Sequence, residues 1–251
     1  MTTPFRHAHA AGEDWREIAQ ACLRQLGGAQ ATLGFVYVTD LLAPFADDIT
    51  ALLRERTGVQ HWVGSTGIGI CATGREYLDE PAMAVMLADL APGSFQVFSG
   101  VRTPDDLKMR KFNCGERPAN FAIVHADPVN SSVPELIAGL AGKMESGFVV
   151  GGLSSSRADN FQIAEKTHEG GLSGVLLSDD ITVATRLTQG CSPVGPVHSI
   201  TDAQRNIVLK LDGRPALDVL KEDVGEKLTR DMQRLGATVR SEEHTSELQS
   251  H

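Results

Sequence analysis

The sequence predicts an α/β (α+β) protein with mixed sheets, built from two repeats of a strand–helix–strand unit that is followed by a hairpin. Each unit begins with a short run rich in aromatic and β-branched residues, near residues 31–38 and 120–126. A helical stretch follows, and then a second apolar run that ends in glycine and hydroxyl residues. Gly151 follows Gly64 by 87 positions. Phe121 follows Phe35 by 86, and loop insertions between two copies of one unit produce such a drift.

The connections between the predicted strands determine how the strands pair. A helix between the first two strands of each unit makes those strands parallel, whereas a hairpin adds antiparallel strands. Helices on one face of each sheet leave the other face apolar. We therefore expect two mixed sheets, from repeats at residues 31–112 and 120–200, stacked as a four-layer αββα sandwich. The alternative is a chance similarity between two common units.

The first half opens with a predicted helix over residues 15–26, where apolar residues recur at the spacing of one helical face. Asp14 is placed to cap its N-terminus, and Gly27 is placed to end it. The residues before Asp14 are expected to be mobile. After the strand–helix–strand unit, three short apolar runs are expected to form hairpins: residues 67–74, 82–90 and 94–101.

The second half repeats this order of patterns. A strand is predicted near residues 120–126, a helix over residues 134–144 and a strand that ends at Gly151. Residues 171–190 are then expected to form a hairpin that turns near Asp179.

The composition excludes several classes of function. A net charge of -9 and a pI of about 5.3 argue against nucleic acid as a partner. No apolar run is long enough to span a membrane, and the start lacks a basic segment followed by an apolar one, so a cytoplasmic protein is expected. The four cysteines lie far apart without a CxxC pair, and the histidines show no metal-ligand spacing. No metal, cofactor or membrane partner is expected.

The last twelve residues differ in character from the rest of the chain. Residues 240–251, RSEEHTSELQSH, show no apolar periodicity and resemble the translation of a sequencing adapter. We expect a non-native tail there, and the alternative is a polar, frayed C-terminus.

The strand ends carry the residues predicted to bind a ligand. The glycine run after residue 63 does not open a helix, which a dinucleotide site requires, and no phosphate-binding loop is present. Unpaired backbone amides at such strand ends form concavities that attract carboxylates and other anions. The predicted ligand-binding residues here are Gly64, Ser65, Thr66, Gly67, Gly151, Gly152, Ser154 and Ser155. The alternative is that these residues form ordinary turns.

A third motif, TQGCSPVGP, begins at Thr188. Its glycine and prolines fix a loop, so Gly190, Cys191 and Pro193 are predicted to form a wall of the ligand pocket. Cys191 would be a nucleophile if His125 or His198 lowered the pKa of its thiol. No signature of a known cysteine hydrolase surrounds it, and lone cysteines are usually packed thiols, so no enzyme is expected.

Five stretches together resemble the FIST family of bacterial intracellular signal-transduction sensors. They are VGSTGIG, the DP after the strand at Phe121, FVVGGLSSS, TQGCSPVGP and ITDAQRNIVLKLDGRPALDVL. The resemblance covers about residues 31–220. It implies a FIST N-terminal domain over residues 1–208 and the start of a truncated FIST C-terminal domain over residues 209–239. It also implies a cytoplasmic sensor of small ligands, with amino acids as the proposed ligands and no established enzymatic activity.

The function expected from the sequence is therefore a sensory module. It would bind a small molecule, which the family resemblance implies is an amino acid, and it would report binding to an unidentified signalling partner. Two other classes remain open: a cysteine-dependent hydrolase or transferase that uses Cys191, and a structural or oligomerising protein without a ligand.

Overall fold

A computed structural model describes residues 5–28, 30–144, 146–186, 195–204 and 207–229, and within the last range residues 226–229 are described as backbone only. The elements in chain order are β1 (Phe5–Ala11), α1 (Trp15–Leu26), β2 (Leu33–Thr39), a 3₁₀ helix (Asp40–Phe45), α2 (Ala46–Thr57), β3 (His61–Gly67), β4 (Gly69–Ala72), β5 (Arg75–Leu78), β6 (Ala82–Ala88), β7 (Phe95–Val101), α3 (Pro104–Met109), β8 (Asn113–Cys114), β9 (Arg117–Ala126), α4 (Val133–Ala141), β10 (Phe148–Leu153), β11 (Gln162–Ala164), β12 (Lys166–His168), β13 (Leu172–Ser178), β14 (Ile200–Gln204), β15 (Ile207–Leu211), β16 (Arg214–Pro215) and α5 (Ala216–Thr229).

The predicted α/β class with mixed sheets is confirmed. One sheet has the strand order β1-β6-β2-β3-β11-β12, and a second has the order β10-β9-β13-β7, with β8 also paired to β9. Strands β2 and β3 are parallel, as are β9 and β10, because a helix connects each pair. The other strand pairs are antiparallel.

The two main sheets use the same register around their parallel pairs. Val36 of β2 pairs with Gly64 of β3, and Val124 of β9 pairs with Gly151 of β10. The two glycines that the sequence placed in correspondence therefore occupy equivalent positions.

The expected equivalence of Phe35 and Phe121 is wrong by two residues. Phe35 pairs with Val63, and the residue that holds the same place in the second sheet is Ile123, which pairs with Val150. Strand β9 has ten residues and β2 has seven, so matching the two aromatic residues shifted the register.

Three apolar clusters define the layers. One lies between the first sheet and helices α1 and α2, and a second lies between the second sheet and helices α3 and α4. A third joins the two sheets face to face, with Leu33, Phe35 and Val63 from one and Phe121, Val175 and Leu177 from the other. The layers thus follow the order helices, sheet, sheet, helices.

Two expectations about connections are wrong. The run at residues 82–90 forms β6 in the first sheet, whereas the run at residues 94–101 forms β7 in the second, so these runs do not make a hairpin together. Residues 181–186, the predicted second arm of the last hairpin, contain no strand, and residues 187–190 lie outside the described residues. Both errors come from assigning partners by closeness in sequence.

The N-terminal residues, which the sequence predicted to be mobile, form an edge strand of the first sheet. Strand β1 pairs with β6 along its whole length. His9 also hydrogen-bonds through Nδ1 to the buried Tyr77 hydroxyl. The caps of α1 are as predicted: Asp14 accepts a hydrogen bond from the Arg16 amide at 2.8 Å, and Gly27 ends the helix with a φ of 64°.

The chain divides into two compact units, Met1–Ala184 and Thr185–His251. The first holds both main sheets, and the described part of the second holds β14, β15, β16 and α5. The expected family boundary at residue 208 stays a prediction. In the described parts of both units, none of the helices is long and apolar enough to cross a membrane.

Candidate functional site

A cavity of about 390 Å³ lies in the first unit, where β2, β3, β9 and β10 end. It is lined by Tyr37, Ser65, Thr66, Gly67, Gly69, Ile70, Cys71, Ile123, His125, Gly151, Gly152, Leu153 and Ser155. Six of the predicted ligand-binding residues are among them, drawn from both repeats. Larger clefts of about 590 and 740 Å³ lie elsewhere in this unit, but their lining includes none of the predicted residues.

The five remaining predicted residues are placed differently. Gly64 and Ser154 lie behind the cavity wall, and neither lines it. Gly190, Cys191 and Pro193 lie outside the described residues, so the predicted cysteine wall stays a prediction.

The two equivalent glycines are required by close backbone packing. A Cβ at Gly64 would lie 1.7 Å from the Val36 carbonyl oxygen, and one at Gly151 would lie 1.9 Å from the Val124 oxygen. Neither position accepts a side chain without movement of the neighbouring strand. The repeated glycine is thus explained by the strands themselves, whereas Gly152 has open space around its Cβ position.

Hydroxyl groups join the strand ends of the two sheets. The Ser65 and Ser154 hydroxyls lie 2.8 Å apart, and the Gln162 side-chain amide donates to Ser154 at 2.9 Å. The Ser155 hydroxyl accepts a hydrogen bond from the Ile68 amide at 3.0 Å. These bonds hold the segment after β10 against the end of β3.

The predicted set of unpaired amides is wrong at three positions. The Thr66 amide donates to the Phe161 carbonyl at 3.0 Å, and the Ser155 amide donates to the Thr66 carbonyl at 3.2 Å. The Ser154 amide donates to the Ala126 carbonyl at 2.8 Å. The carbonyls of Phe161, Ala126 and Thr66 occupy these three donors, so the three amides do not form an anion-binding concavity.

Two polar residues that the sequence analysis did not assign to a ligand site meet between the sheets. The Tyr37 hydroxyl of β2 lies 3.0 Å from His125 Nε2 of β9, and the two rings meet edge to face. His125 is 4% exposed, and its Nδ1 has no hydrogen-bond partner among the described residues. On β13, directly opposite His125, the buried Ser173 hydroxyl also has no partner in the described structure.

Burial keeps this pair uncharged at neutral pH. Desolvation lowers the pKa of His125 to about 4 and raises the pKa of Tyr37 to about 12. Each residue is a polar interruption in an otherwise apolar strand, in FVYVT and AIVHA. That interruption is the signal by which the sequence could have identified them.

Other chemistries have less support in the site. Among the described residues, no group of three histidine, cysteine, aspartate or glutamate side chains is placed to hold a metal ion. Asp127 stabilises a turn, because its carboxylate accepts a hydrogen bond from the Val129 amide at 2.9 Å. The two histidines considered as bases for Cys191 have other partners: His125 bonds to Tyr37, and His198 lies between Asp212 and Asp223.

The family comparison covers every strand of the two main sheets except β1. The sequence model described as "FIST N domain" matches residues 32–214. The chain belongs to the FIST family. FIST domains are sensor domains of signal transduction, so the site described above lies within a sensor domain.

The curated relatives of this FIST protein are mycobacterial. It is 27% identical over 212 residues to "Uncharacterized protein Rv0628c" of Mycobacterium tuberculosis (strain ATCC 25618 / H37Rv), which is 83% of this chain and 55% of that protein. It is also 27% identical over 213 residues to "Uncharacterized protein Mb0898c" of Mycobacterium bovis, with the same shares. The chain thus spans about half the length of the curated relatives that it matches.

Proposed function

We propose that this FIST domain binds a small molecule in the 390 Å³ cavity and reports its bound state to a signalling partner. The observation that carries the proposal is the convergence of polar groups from both sheets on one cavity, with no partner for the His125 Nδ1 in the described part of the chain. Buried polar atoms are rarely left without a partner, and an exception calls for an explanation such as a functional role, a water molecule or an ion. A cavity with a few convergent polar groups is also the usual form of a small-molecule site.

The position of the cavity supports a sensory role. A ligand there would contact strand ends of both sheets and the Ser155 segment that closes over β3. Binding would therefore favour the conformations in which these parts are held together, and a partner that distinguishes those conformations would respond. The family resemblance makes free amino acids the first ligands to test, and we propose binding without turnover.

A thermal-shift screen on the whole chain tests this function. The compounds would be the free amino acids and a set of uncharged small polar molecules. A ligand that binds only the native state stabilises it by about 2.7 kcal/mol at a hundred times its Kd. We expect at least one compound to raise the Tm of the wild-type protein.

A cavity-filling variant localises the effect. Gly152→Val places two methyl groups at a position that lines the cavity and where a Cβ meets nothing within 4 Å, so it fills space without a backbone clash. Gly142→Val is the matched control at the end of α4, where a Cβ makes ordinary contacts of 3.6 and 3.8 Å. Gly152→Val should abolish the shift and Gly142→Val should keep it. Equal shifts in the two variants, or no shift with any compound, would contradict the proposal.

A further inference from the structure

The cavity contains no charged side chain among its lining residues. Asp40, which directly follows β2, is buried, and it is already engaged by Arg157. The backbone amide of Arg157 donates to Asp40 Oδ2 at 2.9 Å, and the guanidinium of Arg157 lies 3.7 Å from Asp40 Oδ1. A charged ligand group held against the buried His125 would lose hydration without gaining an opposite charge from the lining, which is costly.

The backbone does not replace the missing charges. A carboxylate is held in proteins either by cations or by several free amides at a turn. The amides of Thr66, Ser154 and Ser155 already bond to carbonyl oxygens within the fold. Among the described residues, these three amides are therefore not free to hold a carboxylate, and the lining side chains supply no charge to a free amino acid.

The Tyr37 and His125 pair offers a different kind of recognition. If the hydroxyl donates to Nε2, then Nδ1 carries a proton and is a free donor, while the phenol oxygen can still accept. If Nε2 donates to the phenol oxygen, then Nδ1 is a free acceptor and the hydroxyl can donate. The imidazole and the phenol are both neutral near pH 7, because burial holds their pKa values at about 4 and about 12. In either tautomer the pair has one donor and one acceptor without a partner among the described residues, and Nδ1 is a buried atom.

We propose that the cavity selects an uncharged ligand with at least one hydrogen-bond donor and one acceptor, as in an amide, and that Tyr37 and His125 bind its polar end. This inference rests on the proposed function, since it names the ligand class for the same cavity. Ile70, Ile123 and Leu153 line the cavity as well and offer apolar contact to the rest of the molecule.

The test compares matched ligands that differ in charge. Free amino acids and the N-acetyl amides of the same amino acids share their side chains, but only the free forms are zwitterions at pH 7. Thermal shift followed by calorimetry on the whole chain should show binding of one or more N-acetyl amides, with no measurable binding of the matching free amino acid. Binding of a free amino acid as tight as that of its amide would overturn the inference and leave the proposed function standing. No binding in either set would overturn both.

Variants of the pair test its role. Tyr37→Phe removes the hydroxyl, and we expect it to raise the Kd of the amide about 3- to 10-fold, the usual effect of one lost hydrogen bond. Tyr77→Phe is the matched control, because it removes another buried hydroxyl that bonds to a histidine but does not line the cavity. Should Tyr37→Phe destabilise the fold, His125→Gln gives a second measurement, with the same expected direction. Amide binding that is unchanged in both Tyr37→Phe and His125→Gln would refute the role of the pair.

Discussion

Acidification should destabilise this FIST domain through a single buried imidazole. His125 has an ordinary pKa of 6.5 and a pKa of about 4 in the folded protein, because burial disfavours its charged form. The unfolded chain therefore binds a proton more readily than the folded protein between these two values. The contribution of His125 to the free energy of unfolding is complete above about pH 6.5, and it is lost progressively as the pH falls towards about 4.

The size of the effect follows from the difference between the two pKa values. Each pKa unit corresponds to about 1.4 kcal/mol, so protonation of His125 should cost the folded state about 3 kcal/mol. That is a large part of the stability of an ordinary domain, which is about 5 to 15 kcal/mol. The titratable side chains that share the cavity are Tyr37 and Cys71, and neither carries a positive charge. Desolvation is the cause of the shift.

Urea unfolding of the wild type and of His125→Gln, at intervals between about pH 7 and about pH 4, measures this contribution. Other histidines and the carboxylates titrate in both proteins, so the difference between the two pH profiles isolates His125. The wild type should lose about 3 kcal/mol more than the variant across this range. Parallel profiles would refute the reasoning, as would an NMR titration that finds the His125 imidazole charged at about pH 6.

Two further predictions concern packing and the second unit. Gly64→Ala should destabilise the protein by at least about 2 kcal/mol in urea unfolding, because the new Cβ would clash with the Val36 carbonyl oxygen. Gly152→Ala, where a Cβ has open space, should change the free energy of unfolding by less than about 1 kcal/mol. Equal effects of the two substitutions would contradict the packing argument. The hydrogen bond to Asp212 raises the pKa of His198. The contribution of His198 to the free energy of unfolding is therefore complete below its ordinary pKa of 6.5, and it is lost as the pH rises through the raised pKa. An NMR titration of Asp212→Asn should show that pKa moving down towards its usual range, and an unchanged value would contradict the assignment.

The sequence predicts the parts of the fold that depend on local pattern. The capped helix over Trp15–Leu26 and the parallel pairs on either side of a crossover helix follow from periodicity and connection length. Strand β1 was missed because FRHAHAA contains polar Arg6, His7 and His9 and only one large apolar residue, Phe5, so it lacks the apolar alternation typical of a strand. The partner of β7 was missed for a different reason. It lies in β13, more than seventy residues further along the chain, and no local pattern specifies such a pairing.

The sequence indicated that the two strand ends lie together, but it did not indicate the hydrogen-bonding state of their amides. Glycine and hydroxyl residues at two strand ends do meet at one cavity, since the ends of equivalent strands face the same way in stacked sheets. The state of their amides depends on the return path of residues 154–161, which has no signature in the sequence. The partner of Tyr37 depends in turn on how the sheets stack, and His125 lies 88 positions away.

The two halves are alike in backbone but differ at the residues that line the cavity. Tyr37 pairs with Ser65 in one sheet, and at the equivalent positions His125 pairs with Gly152 in the other. The phenol and the imidazole at the first pair of positions leave one donor and one acceptor in either tautomer. Gly152 holds the position equivalent to Ser65, and its missing side chain leaves open space there. The open space at Gly152 and the Tyr37–His125 pair therefore come from equivalent positions of the two parallel strand pairs.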